Sequence, residues 1–152
     1  MQAHDRCAGI RIMDKTPVTC PFCNPAADEM VAKNVFCYAR WDRYPVSKGH
    51  LLVIPFRHVA DYFSLTVEVK HAVFAPVDEC KEVIEENLSP AVYNIGFNFG
   101  EAAGQTVMHC HYHVIPRYVG DVRDARGVVR GLYRGRGVLT TKVRKKLKTS
   151  MM

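Results

Sequence analysis

The sequence of 152 residues has no apolar run near the roughly 20 residues that a helix needs to cross a membrane. Its first residues include Asp5, Arg6 and Asp14, which interrupt the apolar stretch that a secretory signal peptide requires. Internal repeats and low-complexity segments are also absent. We therefore expect a soluble, cytoplasmic protein that does not contact a membrane.

Cysteine is too sparse for a disulfide scaffold, since six cysteines are spread over a chain longer than such domains usually are. The length and the 48% hydrophobic content suit one domain with its own core. Acidic residues are missing from 126–148, which holds nine basic residues. This segment is either a solvated tail or an attractor for polyphosphate or, weakly, nucleic acid. A small anionic substrate would need no more charge than this, so we do not expect nucleic acid to be the main partner.

Alternation and β-forming residues predict four strands, at 35–40, 50–55, 93–99 and 105–116. Between the second and third strands, apolar residues recur every three or four positions over 69–88, which predicts a helix. Pro76 lies inside that stretch and should kink the helix or split it into two. This order of elements predicts an α+β domain on a mostly antiparallel sheet.

Three of the seven histidines alternate along the last predicted strand. Alternate residues of a strand point to the same face, so the side chains of His109, His111 and His113 can line one surface. A single buried histidine is more often structural than functional. Three at a spacing of two indicate a functional cluster.

This segment, His109-Cys110-His111-Tyr112-His113-Val114-Ile115, resembles the signature of the histidine triad (HIT) family of nucleotide hydrolases and transferases. Further similar blocks, which extend the resemblance over residues 20–118, are Gly104-Gln105-Thr106-Val107, Asp42, Gly49-His50-Leu51-Leu52-Val53-Ile54-Pro55 and Asn98. The resemblance implies a single HIT-like domain over 20–120, with a five-stranded sheet and one or two helices. Residues 1–19 would be an irregular arm and 121–152 a basic extension. Family members usually form homodimers, so we expect one here.

The resemblance also implies roles for individual residues. His111 would be the nucleophile, His113 would hydrogen-bond the phosphate, and His50 would orient both rings. Substrate contacts would come from Asp42 on the ribose, Asn98 on the phosphate or ribose, Gln105 and Thr106 on the phosphate or leaving group, and Phe22 on the nucleobase. Simpler interpretations remain for Asp42 as a turn residue and for Asn98 as a cap at a strand end.

Cys20-Pro21-Phe22-Cys23 is the one suggestive cysteine pair. Two idle thiols, a redox motif and half of a zinc site are the alternatives. The redox motif needs a preceding strand and a following helix, which the flanking Pro17 and Asn24-Pro25 disfavour. By the resemblance, His58 and His109 would complete a structural Cys₂His₂ zinc site.

The resemblance implies a nucleotidyl hydrolase or transferase that attacks the α-phosphate through a nucleotidyl-histidine intermediate. The segments Pro116–Asp121 and 126–130 resemble members that hydrolyse dinucleoside polyphosphates, such as diadenosine tetraphosphate. Two alternatives are a nucleoside phosphoramidate hydrolase and a nucleotide-binding regulatory protein with incidental activity. Deadenylating relatives carry a C-terminal zinc finger, whereas this chain has no cysteine or histidine after His113.

Overall fold

A computed structural model describes residues 20–122, so the predicted arm 1–19 and all but the start of the predicted extension 121–152 lie outside the described residues. The five strands are β1 (Ala32–Lys33), β2 (Cys37–Trp41), β3 (Leu51–Pro55), β4 (Val92–Gly96) and β5 (Tyr112–Arg117). They form one sheet in the order β1-β2-β3-β5-β4, and every neighbouring pair is antiparallel. The predicted α+β domain with a five-stranded antiparallel sheet is confirmed.

Two helices, α1 (Val67–Ala72) and α2 (Phe74–Glu85), replace the single predicted stretch. The Thr66 hydroxyl caps α1 by accepting the Val69 N–H at 3.4 Å. Pro76 is the third residue of α2, where its missing N–H leaves no helical hydrogen bond unmade. The predicted split therefore occurs just before the proline. Within residues 20–122, neither helix is long and apolar enough to cross a membrane.

The two faces of the sheet carry different side chains because successive strand residues alternate. On one face, Ala39, Leu51, Val53 and Val114 pack with buried residues of the two helices and of the junction between them, which are Val69, Val73, Cys80 and Ile84. On the other face, Tyr38, Leu52 and Ile54 pack with Phe22. All five residues of β3 are buried, which explains its nearly continuous apolar sequence. The functional residues therefore gather on the face away from the helices.

The last strand is shorter than predicted, since β5 begins at Tyr112 and not at residue 105. Its partner β3 ends at Pro55, which has no N–H with which to extend the ladder. The Cys110 N–H instead bonds to the Val59 carbonyl at 2.6 Å, in the loop after β3. As a result, His109 and His111 precede the strand, and only His113 lies within it. Strand β1, with two residues, is too short for any alternation to predict.

Candidate active site and metal centre

A tight turn before β3 places His50 on the sheet. Gly49 has a φ of 88°, and a Cβ there would lie 2.7 Å from Leu88 Cδ1, so a glycine is needed. The His50 N–H closes the turn on the Ser47 carbonyl at 3.1 Å. The His50 side chain is buried, with the whole residue 3% exposed.

His50 and His113 are joined through their rings, with Nε2 of His50 lying 3.0 Å from Nδ1 of His113. The other nitrogen of His50, Nδ1, lies 3.3 Å from Asp42 Oδ2 and 3.3 Å from the Val46 backbone nitrogen. A buried imidazole needs partners for both nitrogens, and His50 has them. The orienting role that the resemblance implies for His50 remains a prediction.

Burial controls the charge of both rings. Burial lowers the pKa of His50, although the Asp42 carboxylate acts in the opposite direction. Burial, with smaller effects from His111 and His50, lowers the pKa of His113 to about 4. His113 is therefore a neutral ring near pH 7, with one N–H to donate and one lone pair.

His111 lies beside this pair, with its ring centroid 5.0 Å from that of His113. Its Nδ1 is 2.7 Å from the His109 carbonyl oxygen in a buried contact. A carbonyl only accepts, so Nδ1 carries the proton. In the neutral ring, Nε2 therefore bears the lone pair, and the backbone itself selects the nucleophilic nitrogen.

A second cluster lies next to His111 and contains Cys20, Cys23, His58 and His109. One candidate ligand atom from each residue can be chosen so that all four lie within 4.8 Å of one another. Nδ1 of His109 is 3.4 Å from Cys20 Sγ and 3.6 Å from Cys23 Sγ, and Nδ1 of His58 is 3.2 Å from Cys23 Sγ. Tetrahedral zinc holds its sulfur and nitrogen ligands about 3.5 Å apart. The spacing therefore fits a zinc ion.

The protonation chemistry fits a metal as well. Nε2 of His109 donates to the Pro55 carbonyl at 2.8 Å, so Nδ1 faces the cysteines with a free lone pair. Burial and the neighbouring Cys20 raise the pKa of Cys23 to about 11. Two adjacent thiolates would need a cation to balance their charge. Zinc would supply this balance and tie Cys20 and Cys23 to the sheet.

The other residues implied by the resemblance lie in different settings. Phe22 is buried with its ring edge-on to His109 and His111, at centroid distances of 5.9 and 5.3 Å. Thr106 is exposed. The Gln105 amide is buried and bonds to three backbone groups, which are the Gly100 N–H and the carbonyls of Ala60 and Val107. Its position favours holding the loop before the histidines over touching a substrate.

A cavity of about 820 Å³ adjoins the histidine pair on the side of β4. Its lining includes His50, His113 and Asn98, and Lys48 and Arg117 supply positive charge. The charge of Arg117 is partly balanced by Asp121, whose Oδ2 lies 2.7 Å from Nε of Arg117. Our sequence reasoning did not include Lys48 or Arg117 among the site residues. Arg117 follows His113 at a spacing of four in a strand, so alternation places it on the same face.

The comparisons with known proteins agree with this geometry. Residues 25–120 match the HIT domain family, and the protein belongs to this family. The chain is similar to the "AP-4-A phosphorylase" of Mycobacterium tuberculosis, with 36% identity over 60% of this chain and 48% of the relative. It is also similar to the "Bis(5'-nucleosyl)-tetraphosphatase [asymmetrical]" of Schizosaccharomyces pombe, with 38% identity over 64% of this chain and 53% of the relative. The chain thus spans about half the length of these two relatives.

A solved structure shares most of the fold. The "ZN-bound histidine triad family protein from Mycobacterium smegmatis" has a TM-score of 0.60 and 28% identity, covering 87% of this chain and 97% of that one. That protein is zinc-bound. Within residues 20–122, the Cys₂His₂ cluster offers four donors at a spacing that suits such an ion, whereas Asp42, His50 and His113 form a second group with three.

Proposed function

We propose that this protein is a nucleotidyl hydrolase or transferase in which His111 attacks the α-phosphorus of a dinucleoside polyphosphate. One observation carries the proposal: the His111 Nδ1 proton is held by the His109 carbonyl at 2.7 Å, which leaves Nε2 as a nucleophile. A neutral imidazole with a defined lone pair attacks phosphorus well and departs readily afterwards.

The reaction would proceed in two steps. The Nε2–P bond forms while the bond from phosphorus to the bridging oxygen breaks, and the leaving nucleotide takes the electron pair. A water or another hydroxyl acceptor then attacks phosphorus and loses a proton to solvent, while the P–N bond breaks and its electron pair returns to Nε2 of His111. Such a transfer depends on positioning and on donors for the equatorial oxygens. His113, held by His50 at 3.0 Å, is placed to provide one donor.

The cavity beside His113 supports a substrate with a large leaving group. Its volume of about 820 Å³ is within the range that accepts a nucleotide-sized ligand. His111 does not line the cavity, whereas His113 does, so a phosphate held between them would direct its leaving group toward the cavity. Lys48 and Arg117 would then face the polyphosphate. The activities named for the two curated relatives agree with this class of substrate.

A panel of substrates tests the proposal. We expect hydrolysis of diadenosine tetraphosphate at a higher kcat/KM than that of an adenosine phosphoramidate, with AMP as one product. Preference for the phosphoramidate would replace the proposed substrate with the alternative class. Tight nucleotide binding without turnover of either compound would identify a binding protein and overturn the enzymatic proposal. The His111→Ala variant is the control for contaminating hydrolase in each assay.

Zinc is the metal that we propose for Cys20, Cys23, His58 and His109. It would act structurally, because all four positions of a tetrahedral ion would be filled by protein and none would remain for substrate. His109 would then serve the fold, whereas His111 and His113 serve the chemistry. The zinc content of the purified protein, measured by elemental analysis, should be one per chain.

We also propose that two copies associate through β4. In the described chain this strand pairs only with β5, so one edge keeps unpaired backbone groups. Val92, Ile95 and Phe97 are 62%, 52% and 43% exposed along it. Light scattering should give a dimer, and Ile95→Asp should give a monomer, whereas Val67→Asp on α1 should not. A wild-type monomer would contradict the proposal. A cytoplasmic location remains our expectation for the protein in its cell.

A further inference from the structure

The loop between β2 and β3 is fastened to the end of β5 beside the cavity. The Ser47 hydroxyl donates to the Pro116 carbonyl at 2.6 Å, and the Tyr118 hydroxyl donates to the Lys48 carbonyl at 2.9 Å. Lys48 is exposed and, like Arg117, lines the cavity. Two cationic residues that are far apart in the sequence are thereby brought to the same cavity.

The guanidinium of Arg117 is held in one orientation by two neighbours. Nε and Nη2 donate to the two carboxylate oxygens of Asp121 at 2.7 and 2.9 Å, and Nη1 donates to Asn94 Oδ1 at 3.1 Å. Arg117 lowers the pKa of Asp121 to about 2, so this carboxylate stays charged near pH 7. A side chain that is already held in place loses little conformational freedom when a ligand binds.

The held guanidinium keeps donors for a ligand. Arginine has five N–H groups, and Asp121 and Asn94 accept from three of those of Arg117. Within residues 20–122, the structure shows no acceptor for the other two, which lie one on each Nη nitrogen. Phosphate oxygens are strong acceptors for a guanidinium, which can donate to two of them at once. Arg117 therefore suits a phosphate at the cavity wall.

The position of Arg117 indicates which phosphate it would contact. Arg117 follows His113 by four residues on the same face of β5, which separates their Cα atoms by about 13 Å. In-line attack places the leaving group opposite the nucleophile, and His113 lines the cavity whereas His111 does not. A substrate that reaches from His113 to Arg117 therefore extends beyond its α-phosphate, into the part that leaves.

We propose that Arg117 and Lys48 form a subsite for the phosphates of the leaving nucleotide, which selects dinucleoside polyphosphates over substrates with a small leaving group. The inference rests on the proposed function, because attack by His111 defines the leaving side. From diadenosine tetraphosphate the leaving group is ATP, whose phosphates extend toward Arg117. From an adenosine phosphoramidate it is ammonia, which is too small to contact Arg117 while it leaves the α-phosphate.

The kinetic test compares these two substrates in Arg117→Gln. We expect kcat/KM for diadenosine tetraphosphate to fall about 10- to 100-fold, as for the loss of a hydrogen bond to a charged group, and kcat/KM for the phosphoramidate to change less than about threefold. The control Lys33→Gln removes an equal charge from an exposed position on β1 and should change neither value. An equal fall on both substrates would show that Arg117 only supports the fold, and would overturn the proposal.

A binding experiment separates this inference from the proposed activity. In the His111→Ala background, calorimetry would compare diadenosine tetraphosphate with AMP, which contains only the transferred part. Arg117→Gln should weaken binding of the dinucleotide about tenfold or more, and of AMP less than about threefold. Lys48→Gln should act in the same direction by a smaller factor, and it keeps the carbonyl that Tyr118 uses, so the fold is preserved.

The outcomes of the two experiments are distinct. If the wild type hydrolyses neither substrate, the proposed function fails, while a selective loss of dinucleotide affinity still supports the subsite. An equal loss of AMP affinity would place the transferred nucleotide in the cavity and overturn the inference. Unchanged dinucleotide affinity in Arg117→Gln and Lys48→Gln would reject the subsite, whatever the activity.

Discussion

His109 and His111 are two residues apart, yet the structure uses opposite nitrogens of their rings. His109 gives its Nε2 proton to the Pro55 carbonyl and turns Nδ1 toward the cysteines. His111 gives its Nδ1 proton to the His109 carbonyl and leaves Nε2 free. In both cases a buried backbone carbonyl selects the nitrogen that remains available. Under the proposed function, a histidine would be a metal ligand in the first cluster and a nucleophile in the second.

The surroundings of the two clusters differ as well. In the proposed zinc cluster, four candidate ligand atoms lie within 4.8 Å of one another, and protein would fill every position of a tetrahedral ion. In the proposed catalytic trio of His50, His111 and His113, the first and the last line an open cavity. One cluster can therefore stabilise the fold while the other reacts, and variants in each should have separable effects.

The largest effect should follow the removal of the nucleophile. His111→Ala should lower kcat by at least about a thousandfold, because the variant lacks the proposed nucleophile. Nucleotide affinity, measured by calorimetry, should change little, and one zinc per chain should remain. The exposed His71 offers a matched control, since His71→Ala should keep full activity. Retention of more than about a tenth of the wild-type rate would refute a nucleophilic His111.

The next largest effect should follow the removal of Cys20 and Cys23, and it should be on the stability of the protein. In Cys20→Ser with Cys23→Ser, zinc should be lost and the melting temperature should fall by about 10 °C. This estimate assumes a free zinc concentration of about a thousand times Kd. Binding then adds about 4 kcal/mol to the free energy of unfolding. The control is Cys80→Ser, which changes a cysteine buried between helix and sheet. This variant should keep one zinc per chain. Full zinc content in the double variant would eliminate the proposed centre.

Much of this arrangement could be predicted from sequence because its signals are periodic. The alternation at His109, His111 and His113 predicted one functional segment, and the apolar run at 50–55 predicted a strand, now β3, whose five residues are all buried. The split of the helix was predicted from the presence of Pro76 within the helical stretch. These features depend on local chemistry, which a single sequence contains.

Contacts between distant backbone groups could not be predicted in the same way. The start of β5 at Tyr112 depends on its pairing with Val53 of β3, a distant residue in the sequence. The free nitrogens of His109 and His111 depend on individual carbonyl groups, which have the same chemistry at every residue. Gln105 lies in a motif that resembles a substrate contact, yet its amide bonds to Gly100, Ala60 and Val107. Such contacts emerge only when the chain is folded.

Acid should lower the stability of the folded protein through the protonation of His113. The pKa of this ring falls from an ordinary 6.5 to about 4 in the folded protein. Between these values the unfolded chain binds a proton that the folded chain does not, so stability decreases as the pH falls from 6.5 toward 4. The loss from this group should be on the order of 2 kcal/mol. The free energy of unfolding in urea should therefore fall less steeply for His113→Gln than for the wild type as the pH decreases over this range. His71→Gln should follow the wild type.

The smallest effect should come from Phe22, the side chain that touches both clusters. Phe22→Leu keeps an apolar group between His109 and His111 but loses the edge-on ring contacts at 5.9 and 5.3 Å. A swap of this kind costs less than about 1.5 kcal/mol, which is about 3 °C in melting temperature. Zinc content and KM should stay at wild-type values, since Phe22 is only 8% exposed and has little surface for a base. The control is Phe63→Leu, at an aromatic side chain that is 80% exposed, and it should change neither the melting temperature nor KM.

A KM that rises in Phe22→Leu for adenine but not for uracil nucleotides would instead support the nucleobase contact that the resemblance implies. In that case Phe22 would link the metal-binding segment directly to substrate choice.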